Sequence, residues 1–448
     1  SSNSATASYR LCYKFDIYAD QPLQRYYVFV DAQTGEIIQK LSRLCHTDTP
    51  ATAITKYSGT RQITTDNTGT TYRLREAGRG NGIETYNCQQ QTDFINTDFT
   101  DADNYWNNVN AARDEAATDA HWGAEMTYDF FLSTHNRQGI DNNNMPIISY
   151  VHYGSNYFNA FWDGDRMAYG DGSGSAGPLT ALDIAGHEMT HGVTQFSAGL
   201  NYINESGALN EAFSDIFGTV IEFYARPTNA NWLVGSDIGS TFRSMSNPNA
   251  YSQPDTYNGT NWYVGSGDNG GVHTNSGVAN YWFYLLTTGG SGTNDLGNAY
   301  TVSGIGMDKA QRIAYRALNN YLFPTANYAN ARFYSILSAI DLYGACSPEV
   351  VATTNAWYAV GVGNVYDGIV TADFTADVLE ACDAPLTVTF TNCNTNAGDF
   401  IWDFGDGNTS TENSPTHIYT TLGTFSVQLI ADAGSCGNDT LLRSNYID

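Results

Sequence analysis

The chain of 448 residues is too long for one ordinary domain and is expected to divide into roughly two to four. Its 20 basic and 46 acidic residues give a formal net charge of -26. This charge argues against a nucleic acid partner, because binding to a phosphate backbone needs a basic face. No apolar run reaches the roughly 18 residues that a membrane-spanning helix requires, so no membrane span is expected.

Alternating apolar residues predict short strands near the amino terminus, at residues 9–17, 25–30 and 37–38, with a turn before the last. The same alternation continues between Gly, Asn and Asp turns as far as residue 113, at residues 54–63, 71–74 and 83–86. This second stretch predicts a twisted, mostly antiparallel sheet.

The first helix is predicted over Asp114–His135, where apolar residues recur at helical spacing. Residues 147–153 return to a strand pattern, in which His152 is interpreted as a packed strand residue. Farther along, helices are predicted at residues 279–288, 307–319 and 328–343. The chain is therefore expected to be rich in strands first and rich in helices later, with a cleft between the two parts.

Residues 183–191 contain His187, Glu188 and His191 in the spacing HExxH. On a helix, residues four apart share one face, so both imidazoles can bind one small ion. Zinc takes about four tetrahedral ligands and keeps one position for water at a catalytic site. Glu188 lies where it can act on that water. The alternative is a pair of solvated histidines on an ordinary helix.

A second helical segment at residues 204–218 places Glu211 and Asp215 four residues apart on one face. Glu211 can complete a two-histidine, one-glutamate zinc site. Asp215 can accept the free ring N–H of a ligand histidine, which fixes its tautomer. The sequence thus predicts zinc ligands together with a group that orients them.

These two motifs resemble those of the thermolysin family of zinc endopeptidases. The resemblance implies an α+β catalytic unit with a β-rich lobe at residues 47–204, which includes the zinc helix, and an α-helical lobe at residues 205–364. It also implies that Asp215 supports His187 and that Asn210 supports His191. The expected activity is hydrolysis of protein or peptide substrates on the amino side of apolar residues.

Further segments extend the resemblance residue by residue. The segment at residues 268–277 implies that His273 hydrogen-bonds the oxyanion and that Asp268 orients it, and Tyr202 matches the second oxyanion donor. On the substrate side, the resemblance implies that the Ala160 backbone and the Asn159 side chain hold an extended peptide at an edge strand, residues 158–164. It also implies that Arg243 binds the substrate backbone beside the scissile bond. Packing alone for Tyr202 and a structural ion pair for Arg243 are the alternatives. Phe242 departs from the smaller aliphatic residue of the family and predicts a narrower pocket.

Calcium is also implied by the resemblance, but its ligands are only partly retained. Asp183 and Glu222 match family ligands, whereas later positions are Asn231 and Ser236 rather than acidic. Fewer carboxylates favour one ion there, not an adjacent pair. Asp101 and Asp103 match another calcium loop, for which a solvated turn is the alternative.

Both ends of the chain differ from the catalytic unit. Residues 1–46 resemble the end of a pro-region, expected to assist folding or block the cleft, with an edge hairpin of the catalytic domain as the alternative. Residues 371–448 contain Trp-Asp-Phe-Gly-Asp-Gly and resemble an immunoglobulin-like domain of the polycystic-kidney-disease (PKD) type, with His417 structural. This domain could be a spacer, a substrate-binding module or an export-linked unit, and the sequence does not choose among these roles.

Seven cysteines are present, and none forms a CxxC pair. A disulfide among Cys382, Cys393 and Cys436 is predicted first, and one between Cys12 and Cys45 next. Composition and resemblance together predict a secreted zinc endopeptidase. The alternatives are an inactive extracellular binding protein, and an exopeptidase, for which we find no motif that anchors the substrate amino terminus.

Overall fold

The computed structural model describes residues 10–20, 23–42, 47–107, 114–394 and 396–448. The chain begins with an antiparallel sheet of three strands in sequence order, β1 (Cys12–Asp20), β2 (Leu23–Asp31) and β3 (Ile37–Ser42). The predicted amino-terminal strands are thus confirmed. Tyr13, Phe15 and Ile17 of β1 are exposed, so this sheet buries little apolar surface by itself.

Ten strands build the next part of the chain as two five-stranded sheets. They are β4 (Thr47–Ile54), β5 (Thr60–Asn67), β6 (Tyr72–Arg73), β7 (Arg75–Glu76), β8 (Ile83–Asn87), β9 (Thr100–Asp101), β10 (Tyr105–Trp106), β11 (Ile147–Val151), β12 (Ala160–Trp162) and β13 (Met167–Tyr169). Their orders are β10-β4-β5-β6-β9 and β12-β13-β11-β8-β7.

The prediction of mostly antiparallel pairing is confirmed among the strands described up to residue 107. Two pairs that involve these strands are parallel, β10 with β4 and β8 with β11. The prediction of one strand over residues 54–63 was wrong in its bounds, because the chain turns within this range, between β4 and β5. Gly59 lies in this turn at a φ of 72°, a conformation that glycine adopts without a steric cost.

The described residues form eight α-helices: α1 (Asp114–His135), α2 (Leu182–Gln195), α3 (Asn204–Ala225), α4 (Asp268–Asn275), α5 (Gly277–Thr288), α6 (Met307–Asn320), α7 (Tyr328–Tyr343) and α8 (Pro348–Ala359). The later helices alternate with two small hairpins, β14 (Leu233–Val234) with β15 (Arg243–Ser244), and β16 (Gly290–Thr293) with β17 (Ala299–Val302). Within the part of the chain that the structure describes, none of these helices combines the length and apolar character needed to cross a membrane.

Helices α1, α5, α6 and α7 confirm the predicted ones, whereas α8 was missed. Its start carries a usable signal, since Ser347 caps the helix and Pro348 occupies the first turn. His273 lies in α4, a short helix that Asn269, Gly270 and Gly271 interrupt with positive φ angles.

One continuous apolar core joins the β-rich and helical parts, with Trp106, Phe131, Phe217 and Trp357 among its buried members. Helices α2 and α3 approach closely inside it. A Cβ atom added to Gly218 would lie 2.3 Å from the carbonyl oxygen of Asp183. A side chain larger than hydrogen at this crossing would push the two helices apart.

The carboxyl-terminal part is an all-β sandwich, as predicted. Its strands are β18 (Phe374–Ala376), β19 (Leu386–Asn392), β20 (Asp399–Asp403), β21 (Thr409–Ser410), β22 (Thr416–Tyr419), β23 (Phe425–Asp432) and β24 (Asn438–Ile447). The sheets have the orders β18-β19-β22 and β21-β20-β23-β24. Trp402 is fully buried between them, and the ring of His417 stacks on Phe404 while its Nε2 lies 2.8 Å from Asp406 Oδ2.

The disulfide links Cys346, after α7, to Cys436 of the sandwich. The prediction of a local pair was therefore wrong, and Cys382 and Cys393 are unpaired. The Cys12–Cys45 pairing involves Cys45, which lies outside the described residues. The core of the sandwich also includes Leu337 of α7. The sandwich is thus packed on the helical lobe and covalently joined to it.

Replacing both Cys346 and Cys436 with serine is expected to destabilise the sandwich. The bond closes a loop across a sequence separation of 90 residues, for which the loop entropy corresponds to about 4–5 kcal/mol. Calorimetry should show an earlier unfolding transition for the sandwich, while Cys393→Ser, at an exposed unpaired cysteine, should leave it in place. Coincident transitions in the double variant and the parent would contradict this expectation.

Candidate active site

Helices α2 and α3 bring three of the predicted zinc ligands together. The Nε2 atoms of His187 and His191 lie 3.0 Å apart. The carboxylate of Glu211 faces both, with Oε2 3.5 Å from His187 Nε2 and Oε1 3.5 Å from His191 Nε2. The helical spacing of each motif puts its side chains on one face, and the close helix crossing turns the two faces toward each other.

The other ring nitrogen of each histidine is held by an acceptor. His187 Nδ1 lies 2.9 Å from Asp215 Oδ1, and His191 Nδ1 lies 2.7 Å from Asn210 Oδ1. The amide of Asn210 is oriented by its own donation to the carbonyl of Leu200 at 3.1 Å. Both Nδ1 atoms therefore carry the proton, and the neutral rings turn their Nε2 lone pairs toward Glu211.

This donor set fits a zinc ion. Two nitrogen lone pairs and a carboxylate converge on one point, and Glu211 Oε2 is buried without a hydrogen-bond partner. Such a concentration of electron-rich atoms is costly unless a cation compensates it. An oxygen of Glu188 also lies within 4.8 Å of ligand atoms of both histidines, close enough to act on a group bound beside them.

Glu188 is buried at the floor of the cleft. Burial raises the pKa of its carboxyl group to about 7, an effect that His191 opposes and Glu211 reinforces. Burial also pushes the pKa of Glu211 upward, but His191, His187 and His273 outweigh this effect when their rings are protonated and hold the pKa at about 2. The two glutamates therefore differ in basicity: Glu211 remains ionised, and Glu188 can take up a proton near neutral pH.

Tyr202 and His273 lie beside Oε1 of Glu211. The Tyr202 hydroxyl donates to Glu211 Oε1 and lies 3.2 Å from His273 Nε2. Asp268 accepts from His273 Nδ1 at 2.6 Å and from its backbone N–H at 2.9 Å. The imidazole is about half exposed and its Nε2 faces the cleft side of the cluster.

Arg243 forms a two-pronged ion pair with Asp215, with Nε 2.7 Å from Oδ2 and Nη2 2.6 Å from Oδ1. Asn280 also donates to Asp215 Oδ2, at 2.8 Å. Arg243 and His187 hold the pKa of Asp215 well below its usual range despite its burial. Sequence reasoning missed Asn280, because it lies 65 residues from its partner in a helix without a motif.

The cluster lies in a cleft of about 920 Å³ lined by residues from both lobes. Asn159 and Ala160 line it at β12, which pairs only with β13 among the described strands. Phe242 lines it from the helical lobe and contacts Phe158 edge-on, with ring centroids 5.6 Å apart. Sequence reasoning missed Phe158 as a lining residue.

The residues predicted to bind calcium lie outside this lining. Asp183 of α2 and Glu222 of α3 are buried, and Asn231 is hydrogen-bonded to Ser236. In the β-rich lobe, Asp101 Oδ1 accepts the backbone N–H groups of Asp103 and Asn104 at 2.9 and 2.7 Å. That loop is a tight turn closed by its own aspartate.

Comparison with known proteins agrees with this geometry. Residues 50–195 match the thermolysin metallopeptidase catalytic domain, and residues 198–362 match the alpha-helical domain of the same family. The precursor of protealysin, a metalloproteinase from Serratia proteamaculans, has a solved structure that is 30% identical, with a TM-score of 0.53. The match covers 63% of this chain and 87% of that one. The chain belongs to the thermolysin family.

Two bacillolysins are also similar to this chain. Bacillolysin of Brevibacillus brevis is 45% identical over 75% of this chain and 62% of its own length. Bacillolysin of Bacillus cereus is 41% identical, over 75% and 64%. The chain thus spans less than two thirds of the length of these relatives. Residues 368–445 match the PKD domain.

Asp215→Asn is expected to weaken zinc binding about 10- to 100-fold, because a neutral amide replaces the carboxylate that makes His187 a more basic ligand. Arg243 would lose its ionic partner in the same variant. Competition with a chromogenic chelator measures the zinc affinity. Asp268→Asn is the matched control, since its histidine is not a predicted ligand. Equal zinc affinity in the two variants would show that Asp215 does not act through His187.

Proposed function

We propose that this thermolysin-family chain is a secreted, zinc-dependent endopeptidase that cuts on the amino side of apolar residues. The observation that carries the proposal is the convergence of Glu188 with His187, His191 and Glu211 on the floor of an open cleft. The cleft can take an extended chain, since β12 presents a sheet edge along its rim.

His187, His191 and Glu211 would hold the zinc. Bound there, zinc supplies a Lewis acid that polarises a carbonyl group and lowers the pKa of water. Glu188 accepts the proton of the attacking water and passes it to the leaving amine nitrogen. A pKa of about 7 for its carboxyl group suits both transfers.

The developing oxyanion needs further hydrogen-bond donors. His273 in its protonated form, with Nδ1–H bonded to Asp268, offers its Nε2–H, and Tyr202 offers its hydroxyl when this leaves Glu211. Their separation of 3.2 Å lets both donate to one oxygen atom. Arg243, anchored on Asp215, contributes positive charge at the same face of the cleft.

Apolar specificity is supported by the side chains Phe242, Val234, Ile184 and Leu179, which line the cleft near the zinc helix. Burial of one substrate side chain against them stabilises binding by about 1.5–3 kcal/mol. The backbone of β12 at Ala160 and the amide of Asn159 would hold the peptide main chain. Phe158 and Phe242 together narrow the space available to the substrate.

The exopeptidase alternative requires a free carboxylate to hold the substrate amino terminus. Of the described residues that line the cleft, only Asp163, Glu188 and Glu211 are acidic. Asp163 is paired with Arg166 at 3.1 Å, and the two glutamates are assigned to the reaction. The inactive binding-protein alternative leaves unexplained why every polar group of the site is present.

We further propose that residues 1–46 are the end of a pro-region and partner of the catalytic unit, followed by lobes at residues 47–204 and 205–364 and by the PKD-type domain at residues 371–448. Among its described residues the leading sheet contributes no side chain to the cleft lining. Assistance in folding is therefore the role that we favour for it over blocking the cleft.

Cleavage of peptides blocked at both ends tests the endopeptidase function. Mass spectrometry of the products from acetylated, amidated peptides should show cuts before Leu, Phe or Val, with activity lost on chelation and restored by zinc. Release of single amino acids from unblocked peptides only would favour the exopeptidase. No cleavage by zinc-loaded protein freed of residues 1–46 would contradict peptidase function and favour the binding protein.

A further inference from the structure

An arginine occupies the region in which the family resemblance implies calcium. Asp183, at the start of α2, and Glu222, near the end of α3, are both buried there. Asp237 adds a third, partly exposed carboxylate. Arg226 directly follows α3, one turn after Glu222, and is itself only 5% exposed.

The oxygen atoms that calcium would need already have hydrogen-bond donors. Asp183 Oδ2 accepts the N–H of Gly235 at 2.6 Å, and its Oδ1 accepts the N–H of Ile184 at 3.0 Å. Asn231 Oδ1 accepts the N–H of Leu233 at 2.8 Å, and its amide nitrogen donates to Ser236 at 3.1 Å. Calcium takes six to eight oxygen ligands at about 2.3–2.6 Å, and these side chains are turned to other partners.

The remaining two carboxylates are bound by the guanidinium group. Arg226 Nη2 donates to both Glu222 Oε1 and Asp237 Oδ2. Its Nη1 donates to the carbonyl oxygen of Tyr57 at 3.0 Å and contacts Ser58 Oγ at 3.3 Å. Tyr57 and Ser58 lie in the turn between β4 and β5. The planar donor group of Arg226 thus links the end of α3 to the β-rich lobe.

We infer that Arg226 is a built-in cation that takes the place of calcium between Glu222 and Asp237, so that the junction of the two lobes is stable without that ion. The described residues therefore do not fit the calcium site expected from Asp183, Glu222 and Asn231. A guanidinium cannot dissociate as an ion can, so the stability at this junction should be independent of calcium in the medium. The inference does not depend on peptidase activity.

Thermal unfolding with and without calcium tests this inference. All variants would carry Glu188→Gln to prevent self-digestion and would be kept loaded with zinc. About 5 mM calcium is well above the 10⁻⁴–10⁻³ M range of weak extracellular sites. It should shift the Tm of the parent and the Tm of Glu222→Gln by the same amount, which can be zero. Arg226→Gln should lower Tm by roughly 10 °C without calcium, because it leaves buried carboxylates unpaired.

Added calcium should recover part of that loss in Arg226→Gln, and Glu222→Gln in the same chain should abolish the recovery. Arg316→Gln is the control, since it removes a more exposed arginine paired with Asp341 at 2.7 Å; its Tm should change little. If calcium raises the Tm of the parent and Glu222→Gln removes that rise, calcium and not Arg226 is the native cation. A Tm of Arg226→Gln equal to that of the parent would also overturn the inference.

The parent protein provides a test even if Arg226→Gln does not fold. Equilibrium dialysis against calcium should give the same number of bound ions per chain for the parent and for Glu222→Gln. One more ion in the parent would overturn the inference, whereas equal numbers support it.

Discussion

Glu188→Gln is expected to lower kcat for peptide hydrolysis by roughly 10²- to 10⁴-fold, the range of a positioned general base. Glutamine has nearly the shape of glutamate but cannot take a proton. It would occupy the same buried position between the zinc helix and β12, so the fold and the substrate cleft should be retained. Steady-state kinetics on a quenched peptide measure the loss, which should appear in kcat more than in KM.

Zinc content separates this effect from a loss of the metal. His187, His191 and Glu211 remain in Glu188→Gln, so about one zinc per chain should be found by elemental analysis. Glu84→Gln is a matched control in β8, where a half-exposed carboxylate lies outside the cleft lining; its kcat should match the parent. An unchanged kcat in zinc-loaded Glu188→Gln would remove Glu188 from the mechanism.

Glu211→Gln is expected to weaken zinc binding more than about 100-fold, beyond the range for residues that only orient a ligand. The carboxylate is the one negative ligand facing the two neutral imidazoles. An amide supplies a neutral oxygen, which is also a weaker acceptor for the Tyr202 hydroxyl. Activity should disappear at low zinc and return in part when zinc is added in excess.

Asp215→Asn is the matched variant against which the zinc affinity of Glu211→Gln is compared. Both residues are fully buried and lie on α3, one turn apart, so a general disturbance of the helix would affect both alike. Chelator competition should rank zinc affinity as parent, then Asp215→Asn, then Glu211→Gln. The reverse order of the two variants would show that Glu211 is not a direct ligand.

Local periodicity explains what could be predicted about the site. His187 with His191 and Glu211 with Asp215 are pairs at helical spacing, and a helix presents such pairs on one face whatever the rest of the chain does. The same reason applies to α1, whose bounds, Asp114–His135, follow from apolar residues at that spacing. The resemblance added His273, Tyr202 and Asp268, and the structure brings these three within hydrogen-bond reach of one another or of Glu211.

Partners far apart in sequence could not be predicted in this way. Cys436 bonds Cys346 across a separation of 90 residues, whereas proximity along the chain favoured Cys382 or Cys393. Asn280 reaches Asp215 from α5, and Phe158 reaches Phe242 from the other lobe. No local pattern marks these contacts, because each depends on how two separate elements pack.

The sequence by itself predicted most of the helical and strand segments and placed His187 with His191, and Glu211 with Asp215, on shared helix faces, because these features depend on spacings within one turn or one strand. Only the tertiary structure decided which charges meet. Arg226 follows Glu222 by only four residues, but its other partners come from elsewhere. Asp237 lies in the segment after α3, and Tyr57 lies in the turn between β4 and β5 of the other lobe. The groups that surround a cation come from separate elements of the fold. The packing of these elements therefore decides which cation is bound, and the acidic residues alone do not.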